Sequence, residues 1–275
     1  MREELLGFTS KTFAKVMREG SVSLAGILTW AAAHGFGWVE IRDPMAGMEE
    51  KQLRELDASC DQMGLGVHYA WDGSDLLSPS DEELFDRGAR NAARFRTARY
   101  ARITIAGNVF KTEPSRKGLT REEIRRISQR VAAYARAAEG FGITPVYENS
   151  YEPLNGDGQS YYGIVELLQS AEEMSLTFDP ANFLNLKSPR QAPSLDALGE
   201  FYRQFSHRIP YVHLKSVGDG GFLPTLKIQD GGEADCIHLM WQQTKLLCIE
   251  LPETDDVEEG KRNILDARDR LLQLK

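Results

Sequence analysis

Four short apolar stretches of this sequence each end on a side chain that can bind a metal ion. These side chains are Glu148, Asp179, His213 and Glu250, separated along the chain by 31, 34 and 37 residues. Three carboxylates and one imidazole form an oxygen-rich donor set that suits Mn²⁺, Mg²⁺ or Co²⁺, with Zn²⁺ less favoured. One polar residue at a strand end commonly does no more than meet solvent. Four at regular separations predict one shared site for a single divalent metal ion.

The separations also predict that each candidate ligand lies at the end of its own β-strand, because each equals about one strand–helix unit. Apolar runs typical of strands alternate with stretches of helical periodicity along the whole chain. The predicted strands cover residues 5–9, 37–42, 65–69, 101–106, 143–149, 176–179, 209–213 and 246–250. The predicted helices cover residues 21–33, 48–63, 81–98, 120–139, 160–174, 194–205 and 235–243, with a last helix from a cap at Asp255 or Asp256 to about Leu274.

Eight strand–helix units in simple alternation predict an α/β fold with parallel strands and helical crossovers. Without a linker or a change of composition, they favour a single domain over residues 1–275 and a closed (β/α)₈ TIM barrel. An open doubly wound sheet also fits, because sequence does not show whether a sheet closes.

Long loops are predicted on the same side of this barrel as the candidate ligands. Four strand-to-helix connections are long, whereas the helix-to-strand returns are short. Long loops in compact domains commonly serve function, and in TIM barrels these connections form the face that carries the active site. The long connections cover residues 108–119, 150–159, 180–193 and 216–234.

Composition argues against several classes of function. The 275-residue chain has a net charge of −8, which disfavours nucleic-acid binding by bulk electrostatics. No segment approaches the ~18 apolar residues of a membrane span, and the N-terminus lacks the apolar run of a signal peptide. Cys60, Cys236 and Cys248 are odd in number and far apart, so we interpret them as reduced thiols of a cytoplasmic protein.

Lys215 is a further candidate for chemistry. It follows His213 by two residues and therefore shares its face of an otherwise apolar strand. A buried lysine needs an anionic partner. Two interpretations stay open: a catalytic Lys215 that neutralises developing charge or holds a substrate oxygen, and a structural ion pair with a neighbouring acid.

These motifs together resemble the sugar isomerase/epimerase superfamily with the xylose isomerase-like barrel. Its members include ketose 3-epimerases, hydroxypyruvate isomerases, inosose dehydratases and, more distantly, AP endonucleases. The resemblance covers nearly the whole chain, from Gly35 to Glu250. It is carried by the Glu of VYEN, the Asp of TFDPANF, the His of VHLK, the stretch DGGEAD over residues 230–235, and the Glu of CIEL.

The resemblance implies a ligand set and a mechanism. In the family, one divalent metal is held by four residues of this kind, which implies Glu148, Asp179, His213 and Glu250 here. It also implies that Glu148 and Glu250 are the catalytic acid/base residues, on opposite sides of the substrate. The metal would stabilise the negative charge that builds on oxygen when a proton leaves the neighbouring carbon, through an enediolate.

Two departures from the family make two of its activities, free-ketose epimerisation and DNA cleavage, less favoured for this chain. Many sugar epimerases carry a second histidine where this chain has Asn182, which weakens an assignment to free-ketose epimerisation in particular. The five histidines are too few for the zinc cluster of the AP endonucleases, so a nuclease is disfavoured.

Further residues are candidates for contact with the substrate. Glu40 and His68 lie on predicted strands. The alternative for Glu40 is an ion pair with Arg42, and the alternative for His68 is a position in the core. The side chain of Trp71 could form an apolar wall over a sugar ring. The predicted substrate-binding set is Glu40, His68, Trp71, Asn108 and Asn182.

The leading hypothesis is a metal-dependent isomerase or epimerase of a sugar, a sugar phosphate or a small hydroxycarbonyl acid. Its partner would be a small carbohydrate, with no nucleic acid and no membrane. Alternatives are a metal-dependent dehydratase of an inosose-type substrate and a non-catalytic sugar-binding barrel. The exact substrate, its stereochemistry and the oligomeric state, including a homo-oligomer, stay open.

Overall fold

The fold places eight parallel strands around one axis. The structure is a computed structural model that describes residues 5–42, 49–78, 88–113, 115–184, 192–219, 221–228, 232–243 and 246–274, and the backbone alone for residues 71–74, 232 and 233. The barrel strands are β1 (Leu6–Thr9), β2 (Trp38–Arg42), β3 (Gly66–Asp75), β4 (Tyr100–Thr104), β5 (Thr144–Glu148), β6 (Leu176–Phe178), β7 (Tyr211–Leu214) and β10 (Leu246–Ile249). A two-stranded antiparallel sheet is formed by β8 (Val217–Gly218) and β9 (Gly221–Phe222).

The strands close into a ring, which confirms the (β/α)₈ prediction over the open sheet. Neighbours around the ring follow the order β1, β10, β7, β6, β5, β4, β3, β2, and every pairing in it is parallel. The decisive contact is between the first and last barrel strands, where Phe8 pairs with Ile249. All strands therefore end on one face.

Most helices lie where the sequence periodicity predicts them; of the helix predicted over residues 81–98, residues 81–87 lie outside the described residues and the described part ends at residue 93. Ser23 caps α2, Asp256 caps α11, and Thr120 forms a capping box with Glu123 at the start of α6. The helices are α1 (Ala14–Arg18), α2 (Leu24–Ala33), α3 (Glu50–Met63), α4 (its described part, residues 88–93), α5 (Gly107–Thr112), α6 (Arg121–Glu139), α7 (Ile164–Ser170), α8 (Pro180–Leu184), α9 (Leu195–Phe205), α10 (Gly232–Gln243) and α11 (Val257–Gln273). Helical 3₁₀ turns cover Ser10–Phe13 and Ser206–Arg208.

Three predicted long loops contain short elements of their own. Helix α5 lies in the connection after β4, α8 in the one after β6, and the β8–β9 hairpin in the one after β7. Conversely, the predicted helix over residues 160–174 starts late. The Asp157 carboxylate accepts three backbone N–H groups there, including that of Tyr161, and this turn replaces the first helical turn.

The barrel interior is filled by large side chains in its lower part. Trp38, Val146, Tyr211 and Cys248 form a buried cluster inside the ring. Gly7 makes room for it, because a Cβ at this position would lie 2.4 Å from the indole ring of Trp38. The aliphatic and aromatic core lies between the ring and the helices. The upper part of the interior is therefore left to the polar residues at the strand ends.

The helices and the cysteines bear on the predictions about a membrane and about disulfides. Within the described part of the chain, each helix is too short or too polar to traverse a bilayer. Cys60, Cys236 and Cys248 are all buried and free of disulfides.

Candidate active site and metal centre

The four predicted metal ligands meet at the upper end of the barrel. Glu148 is the last residue of β5, Asp179 follows β6, His213 lies in β7, and Glu250 follows β10. All four are buried, and one donor atom from each lies within 4.8 Å of the others. The donor set and its spread are those that one divalent ion requires, so these residues fit a metal centre.

The ring of His213 has a defined orientation. Its Nδ1 lies 2.9 Å from Glu250 Oε2 and 3.2 Å from Glu148 Oε1, whereas its Nε2 lies 3.0 Å from Glu40 Oε2. Burial disfavours the imidazolium, but these carboxylates, Glu40 foremost, outweigh it and raise the pKa of His213 well above its ordinary value. A metal ion would take Nδ1 and leave Nε2–H donating to Glu40, the arrangement that fixes the tautomer of many ligating histidines.

Two buried arginines hold the carboxylates around this ring. Arg42 donates to Glu250 Oε1 at 2.7 Å and to Glu40 Oε1 at 3.0 Å. Arg102 forms a short hydrogen bond to Glu148, and its Nε lies 3.4 Å from Glu40 Oε2. Glu40 therefore connects both arginines to His213 beneath the four ligands.

The arginines keep two of the ligands ionised. Burial alone would raise the pKa of the Glu148 carboxyl, but Arg102 and His213 lower it to about 2. Arg42, Lys215 and His213 likewise overcome burial and hold the pKa of Glu250 well below its usual range. Both side chains are thus carboxylates at neutral pH, which is the form that binds a metal ion.

Lys215 approaches the cluster from the cleft above it. Its Nζ lies 2.6 Å from Asp179 Oδ2 and 3.1 Å from Glu250 Oε2, and 4.4 Å from the ring centre of Phe222. Burial opposes the charge of Lys215, but Asp179 and Glu250 raise its pKa above the ordinary value. Burial raises the pKa of Asp179 to about 6 in spite of Lys215. The predicted anionic partners of Lys215 are therefore two of the ligands themselves.

A cleft of about 120 Å³ opens at two of the four predicted ligands, Glu148 and Glu250. Of the predicted substrate-binding residues, Asn108 and Asn182 line it. The Asp75 carboxylate accepts the backbone N–H of Asn108 at 2.7 Å, and Asn182 Nδ2 donates to the carbonyl of Asn149 at 2.7 Å. The full lining is Lys11, Arg42, Thr104, Gly107, Asn108, Lys111, Glu148, Ser150, Tyr151, Asn182, Lys215, Phe222 and Glu250.

Comparison with known proteins places this architecture in a family. The profile described as xylose isomerase-like TIM barrel matches residues 28–238, most of the chain. The chain belongs to the xylose isomerase-like TIM barrel family. No curated protein sequence is similar enough to count as a match.

Several solved structures superpose over nearly the whole chain. A D-psicose 3-epimerase, solved in the presence of D-fructose, is 13% identical with a TM-score of 0.66 and covers 97% of this chain and 96% of its own. A sugar phosphate isomerase/epimerase from Parabacteroides distasonis is 12% identical with a TM-score of 0.67, covering 96% and 92%. A xylose isomerase-like TIM barrel protein from Mycobacterium smegmatis in complex with magnesium is 18% identical with a TM-score of 0.62, covering 91% and 87%. At these identities the likeness establishes the fold.

Two predicted substrate contacts, Glu40 and His68, do not line the cleft. Glu40 is fully buried beneath the ligands and accepts a hydrogen bond from Tyr211 at 2.7 Å, besides those from Arg42 and His213. This position makes it a positioning residue for His213 and not a lining residue of the cleft. Trp71 lies in β3, and its side chain is outside the described part of the structure.

His68 lies in the aromatic layer of the barrel interior, below the ligands. Its ring centre is 4.9 Å from that of Trp38, 5.2 Å from that of Tyr100 and 6.1 Å from that of Tyr211. This is the core position that the sequence left as the alternative to substrate contact. The DGGEAD stretch of the family resemblance falls largely outside the described residues.

Sequence reasoning named Glu40 and its pairing with Arg42, which the structure shows, but missed Arg102 and Lys11. Arg102 is not among the predicted site residues, although it carries a charge two positions before Thr104 on the inward face of β4. An inward-facing arginine in a barrel strand needs carboxylate partners. This requirement is the signal from which the buried network could have been predicted. Lys11 carried no such signal, because it follows the first strand in an ordinary polar turn.

Proposed function

We propose that this protein is a metal-dependent isomerase or epimerase that moves a proton between carbons of a sugar or a related hydroxycarbonyl compound. The observation that supports it most is the convergence of Glu148, Asp179, His213 and Glu250, with donor atoms within 4.8 Å, beneath a cleft. A divalent ion, with Mn²⁺, Mg²⁺ or Co²⁺ favoured, would stabilise negative charge on the substrate oxygens.

The acid/base work belongs to Glu148 and Glu250 in this proposal. They come from β5 and β10, which are separated in the ring by β6 and β7, so they flank the centre from different strands. One carboxylate accepts the proton from carbon, and the other takes up a proton from water and delivers it to carbon. General acid–base catalysis of this kind contributes ~10²–10⁴-fold to the rate. The arginine behind each carboxylate keeps it ionised before the reaction begins.

Lys215 serves the same reaction as a neutralising group. Its ammonium lies between Asp179 and Glu250 and lines the cleft. A cation at this place favours a substrate whose oxygen gains negative charge as the proton leaves. The likeness to structures named as D-psicose 3-epimerase and sugar phosphate isomerase/epimerase agrees with this reaction class and with a carbohydrate substrate.

The proposal is tested by following solvent deuterium into the substrate. The protein loaded with Mn²⁺, Mg²⁺ or Co²⁺ is incubated in D₂O with ketoses, aldoses, inososes and their phosphorylated and acidic derivatives. We expect deuterium at one carbon next to a carbonyl, and its loss by at least 100-fold in Glu148→Gln, which keeps the shape but removes the base.

Surface variant Glu122→Gln is the matched control, because its carboxylate is exposed on α6 and should leave exchange unchanged. Mass analysis of the product separates isomerisation from the dehydratase alternative, which removes one water. The absence of exchange across the whole panel in metal-loaded protein would reject the proposed proton transfer.

A further inference from the structure

The cleft above the ligands carries more positive than negative side chains. Four cations line it, namely Lys11, Arg42, Lys111 and Lys215, against two carboxylates, Glu148 and Glu250. Glu148 is also neutralised from below by Arg102, which does not reach the cleft. Asp179 and Glu40 lie just outside the lining and pair with Lys215 and Arg42, so the excess of positive charge at the cleft comes from Lys11 and Lys111. This excess contrasts with the net charge of −8 on the whole chain.

Glu250 does not balance the cations around it. Its Oε1 accepts from Arg42 at 2.7 Å and lies 3.7 Å from Lys11 Nζ, while its Oε2 lies 3.1 Å from Lys215 Nζ. Lys215 also pairs with Asp179 and Arg42 with Glu40, whereas Lys11 has no nearer carboxylate than Glu250 among the residues that the structure describes. The contact of Lys11 with Glu250 is the longest of the three, because Arg42 and Lys215 lie closer to the same carboxylate.

Lys111 has no carboxylate of its own among the residues that the structure describes. Its Nζ lies 5.8 Å from the ring centre of Tyr151, and the nearby Glu113 is engaged by Arg116 instead. Lys111 projects from α5, which follows β4, whereas Lys11 follows β1, three strands away around the ring. The two lysines therefore approach the cleft from separate sides of the mouth.

We propose that the substrate is an anion, a sugar or hydroxycarbonyl compound with a phosphate or carboxylate group that Lys111 and Lys11 recognise at the mouth of the cleft. This inference rests on the proposed function, because it assumes that the cleft receives the substrate. A bound divalent ion would add two further positive charges at the base of the cleft and strengthen the preference for an anion. A neutral sugar would leave the charge of Lys111 without a partner in the complex.

Calorimetric titration of the metal-loaded protein tests this inference without requiring turnover. Matched pairs of ligands are compared at low salt: D-fructose with D-fructose 6-phosphate, and D-glucose with D-gluconate and D-glucuronate. We expect an anion to bind at least ~10-fold more tightly than its neutral counterpart, with the difference reduced by added salt. The phosphate and carboxylate arms show which anionic group the cleft takes.

Two variants connect the preference to the lysines. In Lys111→Gln and Lys11→Gln we expect about tenfold weaker binding of the preferred anion and unchanged binding of the neutral sugar. Lys117→Gln is the control, because Lys117 lies exposed in the same connection but does not line the cleft. An equal loss in Lys117→Gln would overturn the assignment to these two lysines.

Equal affinity of wild-type protein for anionic and neutral partners would overturn the inference, and so would the absence of any binding by the anions. Neither result bears on proton transfer, which the deuterium experiment measures separately with neutral and charged substrates. Deuterium exchange into neutral ketoses alone would support the proposed function and reject the anionic substrate.

Discussion

At the scale of single residues, Glu40 has the most specific role outside the ligand set. Its Oε2 accepts hydrogen bonds from His213 Nε2 at 3.0 Å and from the Tyr211 hydroxyl at 2.7 Å. The contact with Nε2 determines which imidazole nitrogen faces the proposed metal centre. Residues of this type commonly contribute 10–100-fold to metal affinity. Their effect is transmitted through the ligand, since they do not contact the ion themselves.

Replacement Glu40→Gln tests this role. The amide keeps the shape but loses the charge that holds His213, so we expect Mn²⁺ affinity to fall about 10–100-fold, measured by calorimetric titration. Glu55→Gln, an exposed position on α3, is the control and should bind as wild type does. Unchanged affinity in the Glu40 variant would contradict the positioning role.

Arg102 has a structural role at the same scale. Its side chain is fully buried between Glu40 and Glu148, so its removal takes a compensating charge away from both carboxylates. In Arg102→Met, Glu148 loses its buried arginine and Glu40 keeps Arg42 alone, and we expect the free energy of unfolding to fall by about 3–5 kcal/mol in urea titrations.

Arg125→Met provides the comparison for this variant. Arg125 pairs with Glu122 on the exposed side of α6, and such solvent-screened surface pairs contribute little to stability. Similar losses in the two variants would show that the buried arginine is not required to compensate the carboxylates beneath the metal centre.

At the scale of elements, the strands divide the barrel interior into layers. Trp38, His68, Tyr100 and Tyr211 fill the lower layer with rings, and the polar ligands occupy the layer above. The lower layer supports the site from beneath, because Tyr211 and His213 are neighbours on the same face of β7. The same strands therefore supply both the rings that pack below the site and the polar side chains that form it.

His68 makes the contribution of this layer to folding stability depend on pH. Burial lowers the pKa of His68 to about 4 in the folded protein, whereas histidine in an unfolded chain titrates near ~6.5. The unfolded state binds more protons between these values, so this contribution to stability is present above about pH 6.5 and is lost as the pH falls toward 4.

The variant His68→Phe should remove that dependence. We expect the wild-type free energy of unfolding to fall by on the order of 3 kcal/mol more than that of the variant between pH 6.5 and 4. Urea titrations across this range measure the difference. His207→Gln, at an exposed histidine, should follow the wild-type profile. Parallel profiles for wild type and His68→Phe would contradict a neutral, buried His68.

At the scale of the whole molecule, a metal ion would connect strands that are distant in sequence. The four ligands come from β5, β7 and the residues after β6 and β10, so one ion would join half of the ring. An ion that binds only the folded state stabilises it by mass action. Thermal unfolding therefore reports on the metal centre of the intact protein.

Metal loading should raise the melting temperature. At 100 times the dissociation constant the gain is about 2.7 kcal/mol, which corresponds to roughly 5 °C for a chain of this size. A chelator should reverse the shift, and Asp179→Asn should abolish most of it. A melting temperature that does not respond to Mn²⁺, Mg²⁺, Co²⁺ or Zn²⁺ would contradict the metal centre.

The sequence alone determined the order of strands and helices and the positions of the four ligands along the chain. Both follow from local signals: period-2 and helical patterns, helix caps such as Thr120, and polar residues that end apolar runs. Short elements inside the connections, such as α5 and α8, were not predicted, because five or six residues carry too little periodicity.

Only the tertiary structure decided that the sheet closes and what surrounds the ligands. Closure depends on the pairing of β1 with β10, whose residues lie at opposite ends of the chain, and no local pattern records such a contact. The same holds for Arg42, Arg102 and Glu40, whose charges acquire their roles only when the strands bring them within a few ångströms of Glu148, His213 and Glu250. Electrostatic partners depend on distance in space, and sequence specifies that distance only through the complete fold.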